Sequence, residues 1–279
     1  MDKKSGLLTR KIPSTKEVIP AIGLGTWSTF DVADHSSQKS GLSEVLEIFT
    51  HVGGKIVDCS PMYGRAEKVA GDLMQEANAR KNLFIATKVW TTGKQKGIDQ
   101  INSSFKKFQT SVVDLLQVHN LTDVDTQIKT LQELKSEGRI RYTGITHYST
   151  YAYPQLIRAI KTFKPDFVQF NYNIKIREAE KELIPVAQDN GTAIIINRPF
   201  EEGDLFSMVK EKALPQWALD YNITTWAQYF LKFILSHEAV TCVIPATGKA
   251  IHMRDIMNAG IGSLPDVTLR KKMIEYVAG

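Results

Sequence analysis

Val113-Asp114-Leu115-Leu116-Gln117-Val118-His119 is a short apolar run that ends on an ionisable residue. A segment of helical period follows over Thr126–Ser136, and then a second such run, Tyr142–Thr146. Strand, helical crossover and strand form the unit of a parallel sheet, because parallel neighbours need a long connection rather than a tight turn. The alternation continues in both directions. Upstream, strands are expected at Ile22–Thr26, Lys55–Asp58 and Leu83–Lys88, with helices over Ser43–His51, Ala66–Ala79 and Ile98–Gln109. Downstream, strands are expected at Phe167–Phe170, Ala193–Asn197 and Thr241–Ile244. Helices are expected there over Tyr153–Phe163, Glu178–Asn190, Thr224–Ser236 and His252–Asn258. Leu42, Val45, Leu46 and Phe49 illustrate the apolar spacing that marks these helices.

Eight strands alternating with helices, and no material for a second sheet, favour an α/β fold of the (β/α)₈ TIM-barrel type over an open sheet. A hairpin, Leu8 to Ile12 and Glu17 to Ile22, leads into it. Phe206–Tyr221, with Leu214, Pro215 and Trp217, is too long for an ordinary connection and reads as an extra helix over one barrel end. No linker or low-complexity tract interrupts the pattern, so residues 1–279 read as one barrel domain rather than two smaller ones.

With 43% hydrophobic and 23% charged residues, the chain has ample material for a core. Lys and Arg exceed Asp and Glu by 35 − 30 = +5, but in scattered pairs such as Lys106-Lys107, so a nucleic-acid partner is not expected. Two distant cysteines, Cys59 and Cys242, suit neither a disulfide scaffold nor a metal knot. No stretch is apolar enough to cross a membrane. A cytoplasmic protein without a membrane partner follows, with a monomer favoured.

In a barrel of this type the chemistry sits at the carboxyl ends of the strands. Asp58, Lys88 and His119 end three successive strands, and Thr146-His147 ends the next. Each alone has a bland explanation: a helix cap, a solvated lysine, a satisfied core histidine. Together, at one end of one barrel, they point to a site. Lys88 and Asp58 brought into such a mouth would pair, since an unpaired buried charge is costly. Tyr63, five residues beyond Asp58, can fold over the same mouth. An ammonium beside it would lower the phenol from its reference of about 10 and make it a proton donor for a developing alkoxide.

These residues also carry a resemblance. Asp58-Cys59-Ser60-Pro61-Met62-Tyr63-Gly64-Arg65-Ala66-Glu67 resembles the Asp…Tyr-Gly…Glu signature of the aldo-keto reductases. Ala86-Thr87-Lys88-Val89 is similar to that family's lysine strand, and Asp114–His119 to its histidine strand. Gly23-Leu24-Gly25-Thr26-Trp27, Gly138–Thr146 and Ile244-Pro245-Ala246-Thr247 resemble three further segments in the right order. The resemblance implies NADPH-dependent reduction of a small carbonyl substrate, with NADH as the alternative cofactor and without metal. It implies Tyr63 as proton donor, Lys88 and Asp58 as its tuning pair, and His119 as the group that orients the substrate oxygen. Gly25, Thr26, Thr146, His147 and Gln169 fall where the family holds the nicotinamide end. Asn197, Arg198 and Pro199 fall along the cofactor, and Thr247, Lys249, Arg254 and Asp255 fall in the adenosine-phosphate segment. Trp27 and Trp90 read as an apolar substrate wall.

The chain departs from the family pattern in several places. His147 replaces a common Asn, and Asn197-Arg198-Pro199 replaces a segment that often carries a stacking aromatic. Glu201-Glu202 puts acids where a Gly- or Ser-rich pyrophosphate loop is common, and Ala246 stands where Lys is frequent. Two other readings of the same barrel are a cofactor-binding regulatory protein with little turnover and a metal-dependent hydrolase. The complete set of four residues speaks against the first. A lysine among the would-be ligands speaks against the second.

Overall fold

The computed structural model describes residues 6–33 and 36–279. β1 (Thr9–Lys11) and β2 (Val18–Pro20) form an antiparallel hairpin. Eight parallel strands follow: β3 (Leu24–Gly25), β4 (Ile56–Asp58), β5 (Phe84–Val89), β6 (Val113–His119), β7 (Ile140–His147), β8 (Phe167–Asn171), β9 (Ala193–Asn197) and β10 (Val240–Val243). They pair in sequence order from β3 to β10. Single bridges from Ile22 to Val243 and from Gly25 to Ala246 join the first strand to the last, which closes the barrel. Gly25 is required at this seam, because a Cβ there would meet the Ile244 carbonyl oxygen at 2.7 Å.

Between the strands lie α1 (Gln38–His51), α2 (Ala66–Glu76), α3 (Lys94–Lys107), α4 (Val124–Ser136), α5 (Tyr153–Phe163) and α6 (Leu183–Asp189). The chain continues through α7 (Asp204–Met208), α8 (Trp226–Leu235), α9 (Ala250–Asn258) and α10 (Val267–Ala278). Strand positions agree with the sequence pattern to within two residues; the first is shortened to β3, with Ile22 before it paired only by its bridge to Val243. Three helical expectations change. Glu178–Asn190 is not one helix: a single 3₁₀ turn precedes α6, because Pro185 cannot sit deep in a helix without clashing with a carbonyl four residues back. Phe206–Tyr221 is not one helix either, since α7 ends at Met208 and a 3₁₀ segment covers Gln216–Tyr221. α10 was not expected, although Asp266 caps it and Leu269, Met273 and Val277 give it a buried stripe. No helix among the described residues is long and apolar enough to cross a membrane.

Two apolar layers hold the molecule. The outer one packs helices against the barrel through residues such as Val57, Ile85, Leu116, Val118 and Val168. The inner one fills the barrel with Ile56, Phe84, Ala86, Leu115, Tyr142, Phe167, Ala193, Ile195 and Cys242, and the hairpin plugs it with Ile12 and Ile19. Strand side chains alternate between the two. Continuing two residues along the inward parity leads from Ile56 to Asp58, from Ala86 to Lys88, from Leu115 to Gln117 and His119, and from Phe167 to Gln169. The interior is therefore apolar at the amino ends of the strands and polar at their carboxyl ends.

Candidate active site

At the carboxyl end of the barrel a cleft of about 780 Å³ is lined by Asp58, Tyr63 and His119 on one side and by Asn197, Arg198 and Pro199 on another. β4 delivers Asp58 as its last residue, and the chain then turns at once: the Tyr63 N–H donates to the Ser60 carbonyl at 3.0 Å. Gly64 completes the turn with φ +56°, where a Cβ would lie 2.4 Å from the Asp31 carboxylate. This turn swings Tyr63 back over the barrel.

Beneath it, Lys88 Nζ donates to Asp58 Oδ2 at 2.6 Å and to the Cys59 carbonyl at 2.6 Å. Lys88 is fully buried and Asp58 is 2% exposed, so their pairing is what makes either charge tolerable. Gln117 and Gln169 donate to the other oxygen, Asp58 Oδ1, at 3.3 and 3.2 Å. Burial pushes the Asp58 carboxyl up against the pull of Lys88. Burial would push the Lys88 ammonium down, but Asp58 and Tyr63 outweigh it and hold the amine above its ordinary value. The result is a fixed ion pair with the ammonium 5.1 Å from the centre of the Tyr63 ring.

The phenol itself departs from expectation. Burial raises the Tyr63 pKa, Lys88 pulls against it, and Asp58 adds to the rise. The net shift is upward because the burial penalty outweighs the pull of Lys88, which Asp58 partly offsets. Tyr63 is thus a protonated donor at neutral pH, held so by desolvation.

His119, the last residue of β6, lies edge-on to Tyr63 with ring centres 5.9 Å apart, and Trp90 lies 6.3 Å away on another side. Burial, helped by Lys88 and His147, pushes the imidazole down to about 2, so it is neutral. Its Nδ1 is 2.9 Å from the buried hydroxyl of Ser60. The Tyr63 hydroxyl and a neutral imidazole therefore border one cleft above a buried ion pair. That arrangement suits an oxygen that gains negative charge.

The remaining expected residues divide. Gly25, Thr26 and Trp27 also line the cleft, although the Thr26 hydroxyl is turned inward to the Asp58 carbonyl. Trp90 stands at the rim, 43% exposed. Thr146 and Gln169 lie beneath the cleft and spend their polar atoms on protein: Thr146 Oγ1 donates to Gln169 Oε1 at 2.9 Å, while the Gln169 amide reaches Asp58. His147 accepts from the Ser149 N–H and stacks on Tyr148, which does line the cleft. Arg198 is held by Glu201 at 3.1 Å and Glu202 at 2.7 Å and lies over Tyr148. Thr247 accepts from the Lys249 N–H at the start of α9, where Lys249 and Arg254 are exposed. Asp255 takes the Thr225 hydroxyl and the Gln228 amide and so ties α9 to α8. None of Thr247, Lys249, Arg254 or Asp255 lines the cleft.

Sequence reading passed over Ser60, Gln117 and Tyr148. The first two had a usable signal: Gln117 shares the parity of His119, and Ser60 lies inside the same turn as Tyr63. Tyr148 had none, since one residue past a strand end its direction is set by the loop.

Residues 21–271 match the family model described as the Aldo/keto reductase family. The methylglyoxal reductase YeaE of Escherichia coli (strain K12) is 25% identical over 244 residues, 85% of this chain and 84% of that protein. An NADH-specific methylglyoxal reductase of the same organism is 23% identical over 260 residues, 81% of this chain and 78% of its own. An aldo/keto reductase from Klebsiella pneumoniae, solved with NADP and acetate, superposes with a TM-score of 0.77 at 20% identity, covering 99% of this chain and 96% of that one. A family model spanning most of the barrel, over a cleft with this geometry, establishes that the chain belongs to the aldo/keto reductase family.

Proposed function

We propose that this protein reduces an aldehyde or ketone to the alcohol with a nicotinamide cofactor, and that Tyr63 is its general acid. The observation that carries the reading is the convergence of a protonated Tyr63 and a neutral His119 on one cleft, over the Lys88–Asp58 pair. The cleft wall also suits the cofactor. Asn197 Oδ1 and Arg198 Nε are buried without a partner among the described residues, an acceptor and a donor on consecutive residues at the strand end expected along the dinucleotide. Asn197, Arg198 and Pro199 would hold it, with Gly25 beyond the seam next to β10. When bound, the reduced nicotinamide supplies hydride to the carbonyl carbon.

The protein's own residues do the rest. His119 and Tyr63 hold the carbonyl oxygen between two donors, which fixes the carbonyl's orientation in the cleft. Tyr63 then releases its phenolic proton to the oxygen as negative charge grows there. Lys88, 5.1 Å from the ring, favours the phenolate left behind, and Asp58 keeps Lys88 in place. Trp27 and Trp90 border the substrate side with apolar surface.

The two Escherichia coli relatives named above are methylglyoxal reductases, so a small reactive carbonyl is the substrate class to test first. NADPH is the favoured cofactor, with the exposed Lys249 and Arg254 as partners for its extra phosphate. The test is consumption of NADPH and NADH by purified protein with methylglyoxal and with an aromatic aldehyde. Carbonyl-dependent oxidation with NADPH ahead of NADH is expected. Binding of either cofactor without turnover on any carbonyl would overturn the reading, and equal use of both would overturn the phosphate assignment.

A further inference from the structure

Ser60 is fully buried in the turn between Asp58 and Tyr63, and its hydroxyl lies 2.9 Å from His119 Nδ1. A serine hydroxyl has one hydrogen to give and two lone pairs to receive with. The Met62 N–H donates to Ser60 Oγ at 3.3 Å, which uses one lone pair. Among the described residues the only acceptor in reach of the hydroxyl hydrogen is His119 Nδ1. Were Nδ1 protonated, Ser60 Oγ would face two N–H donors and its own hydrogen would be buried without a partner, an arrangement folded proteins avoid. We infer that Ser60 donates to His119 Nδ1 and so sets the imidazole in the tautomer that carries its proton on Nε2, which makes Ser60 a positioning residue for carbonyl binding.

The consequence concerns which end of the imidazole faces the substrate. No protein group among the described residues bonds Nε2, and His119 lines the cleft. In the Nε2–H tautomer that nitrogen is a donor, and it joins the Tyr63 hydroxyl so that each meets one lone pair of a carbonyl oxygen. In the other tautomer Nε2 would present a lone pair. It would then repel the carbonyl oxygen and compete for the Tyr63 proton. A neutral imidazole has one proton to place, so the Ser60 bond on one face decides what the other face offers. The catalytic consequence rests on the carbonyl-reduction reading, whereas the tautomer does not.

The experiment is a long-range ¹H–¹⁵N correlation spectrum of the full chain labelled at its six histidines, with His119→Asn identifying the His119 signals. The wild type should show His119 with a bare Nδ1 and a protonated Nε2 at pH 7. A protonated Nδ1 would overturn the assignment without reference to any activity. Ser60→Ala should give mixed or reversed tautomer signals and lower kcat by at least about tenfold, with KM changed less. Ser60→Thr, which keeps the hydroxyl, should restore both. An unchanged His119 pattern in Ser60→Ala would overturn the role of Ser60, and a changed pattern with unchanged kcat would overturn its consequence for turnover. If the wild type shows the expected tautomer but reduces no carbonyl, the reading of the reaction fails and the tautomer stands.

Discussion

The β4–β6 side of the barrel mouth and its β9 side are built differently. Asp58, Lys88, Ser60 and His119 are buried in two hydrogen-bonded sets, Lys88 and Asp58 with Gln117 and Gln169, and Ser60 with His119. Across the cleft, the loop leaving β9 holds Arg198, Glu201 and Glu202 at φ of +48°, +48° and +56°. These left-handed conformations cost a non-glycine residue about 1–2 kcal/mol each. Two ion pairs hold that loop together, and Asn197 Oδ1 and Arg198 Nε are left without partners. The first side is held by a buried ion pair and its hydrogen bonds, although Gln117 Oε1 and Asn120 Oδ1 are buried there without partners among the described residues and Asn120, Leu121 and Asp123 after β6 are left-handed too. The second is tied by the ion pairs of Arg198 within its own loop, beside cleft-lining polar atoms that a ligand can meet. The chemistry needs groups that are placed before substrate arrives, while a cofactor that comes and goes needs a wall able to exchange partners.

The contrast can be broken most severely from the side that holds the buried ion pair. Asp58→Asn leaves the Lys88 ammonium buried without its counter-charge, and stability should fall by about 3–5 kcal/mol, read as a lower unfolding midpoint in urea. An unchanged midpoint would mean that the pair is not what holds this side together. Tyr63→Phe removes one hydroxyl and no packing. Turnover should drop by about 10² or more while NADPH affinity stays near wild type, and near-normal turnover would remove Tyr63 from the chemistry.

A pH experiment sharpens the same comparison. His119 has a folded pKa of about 2 against an ordinary value of 6.5, so its contribution to stability is complete above pH 6.5. It is lost as pH falls, because the unfolded chain takes up a proton that the folded one refuses. Between pH 6.5 and 4.5 this histidine alone should cost about 2–3 kcal/mol. His147 and His237 are also pushed down by burial and add loss of the same sign. His119→Asn should flatten, without abolishing, the acid-side decline in thermal midpoint. An identical slope would show that His119 is not protected from protonation.

The smallest effect belongs to the β9 side. Arg198→Ala should leave the fold intact and weaken NADPH binding by about 1.5–3 kcal/mol, the range for losing a hydrogen bond to a charged group. Tryptophan fluorescence titration would measure it. An unchanged dissociation constant would leave Arg198 as the ion-pair partner of Glu201 and Glu202 and nothing more.

Much of this was legible in the linear chain. Short apolar runs alternating with helical-period segments gave the eight strands, and Asp58, Lys88 and His119 could be placed at one barrel end from their positions alone. Alternation along a strand is a local property, so Gln117 and Gln169 were equally legible as inward groups. α10 shows a signal present and passed over, in Asp266 followed by Leu269, Met273 and Val277. The division of Phe206–Tyr221 and the shortening before α6 were harder, because Pro185 and Pro215 mark where helices cannot run but not what replaces them.

The sequence by itself determined the alternation of strands and helices and the ionisable residues at the carboxyl ends of the strands. These follow from side-chain periodicity and from the rule that parallel strands need crossovers, both of which act within a few tens of residues. Only the tertiary structure decided which atom meets which. Ser60 finds His119 from 59 residues away. Gln169 reaches Asp58 across 111 residues, and Arg198 pairs with its two acids instead of standing free. The direction of the Tyr63 pKa was decided there too. It depends on the difference between a large burial penalty and the field of an ion pair, and neither exists until the barrel closes and water leaves the interior.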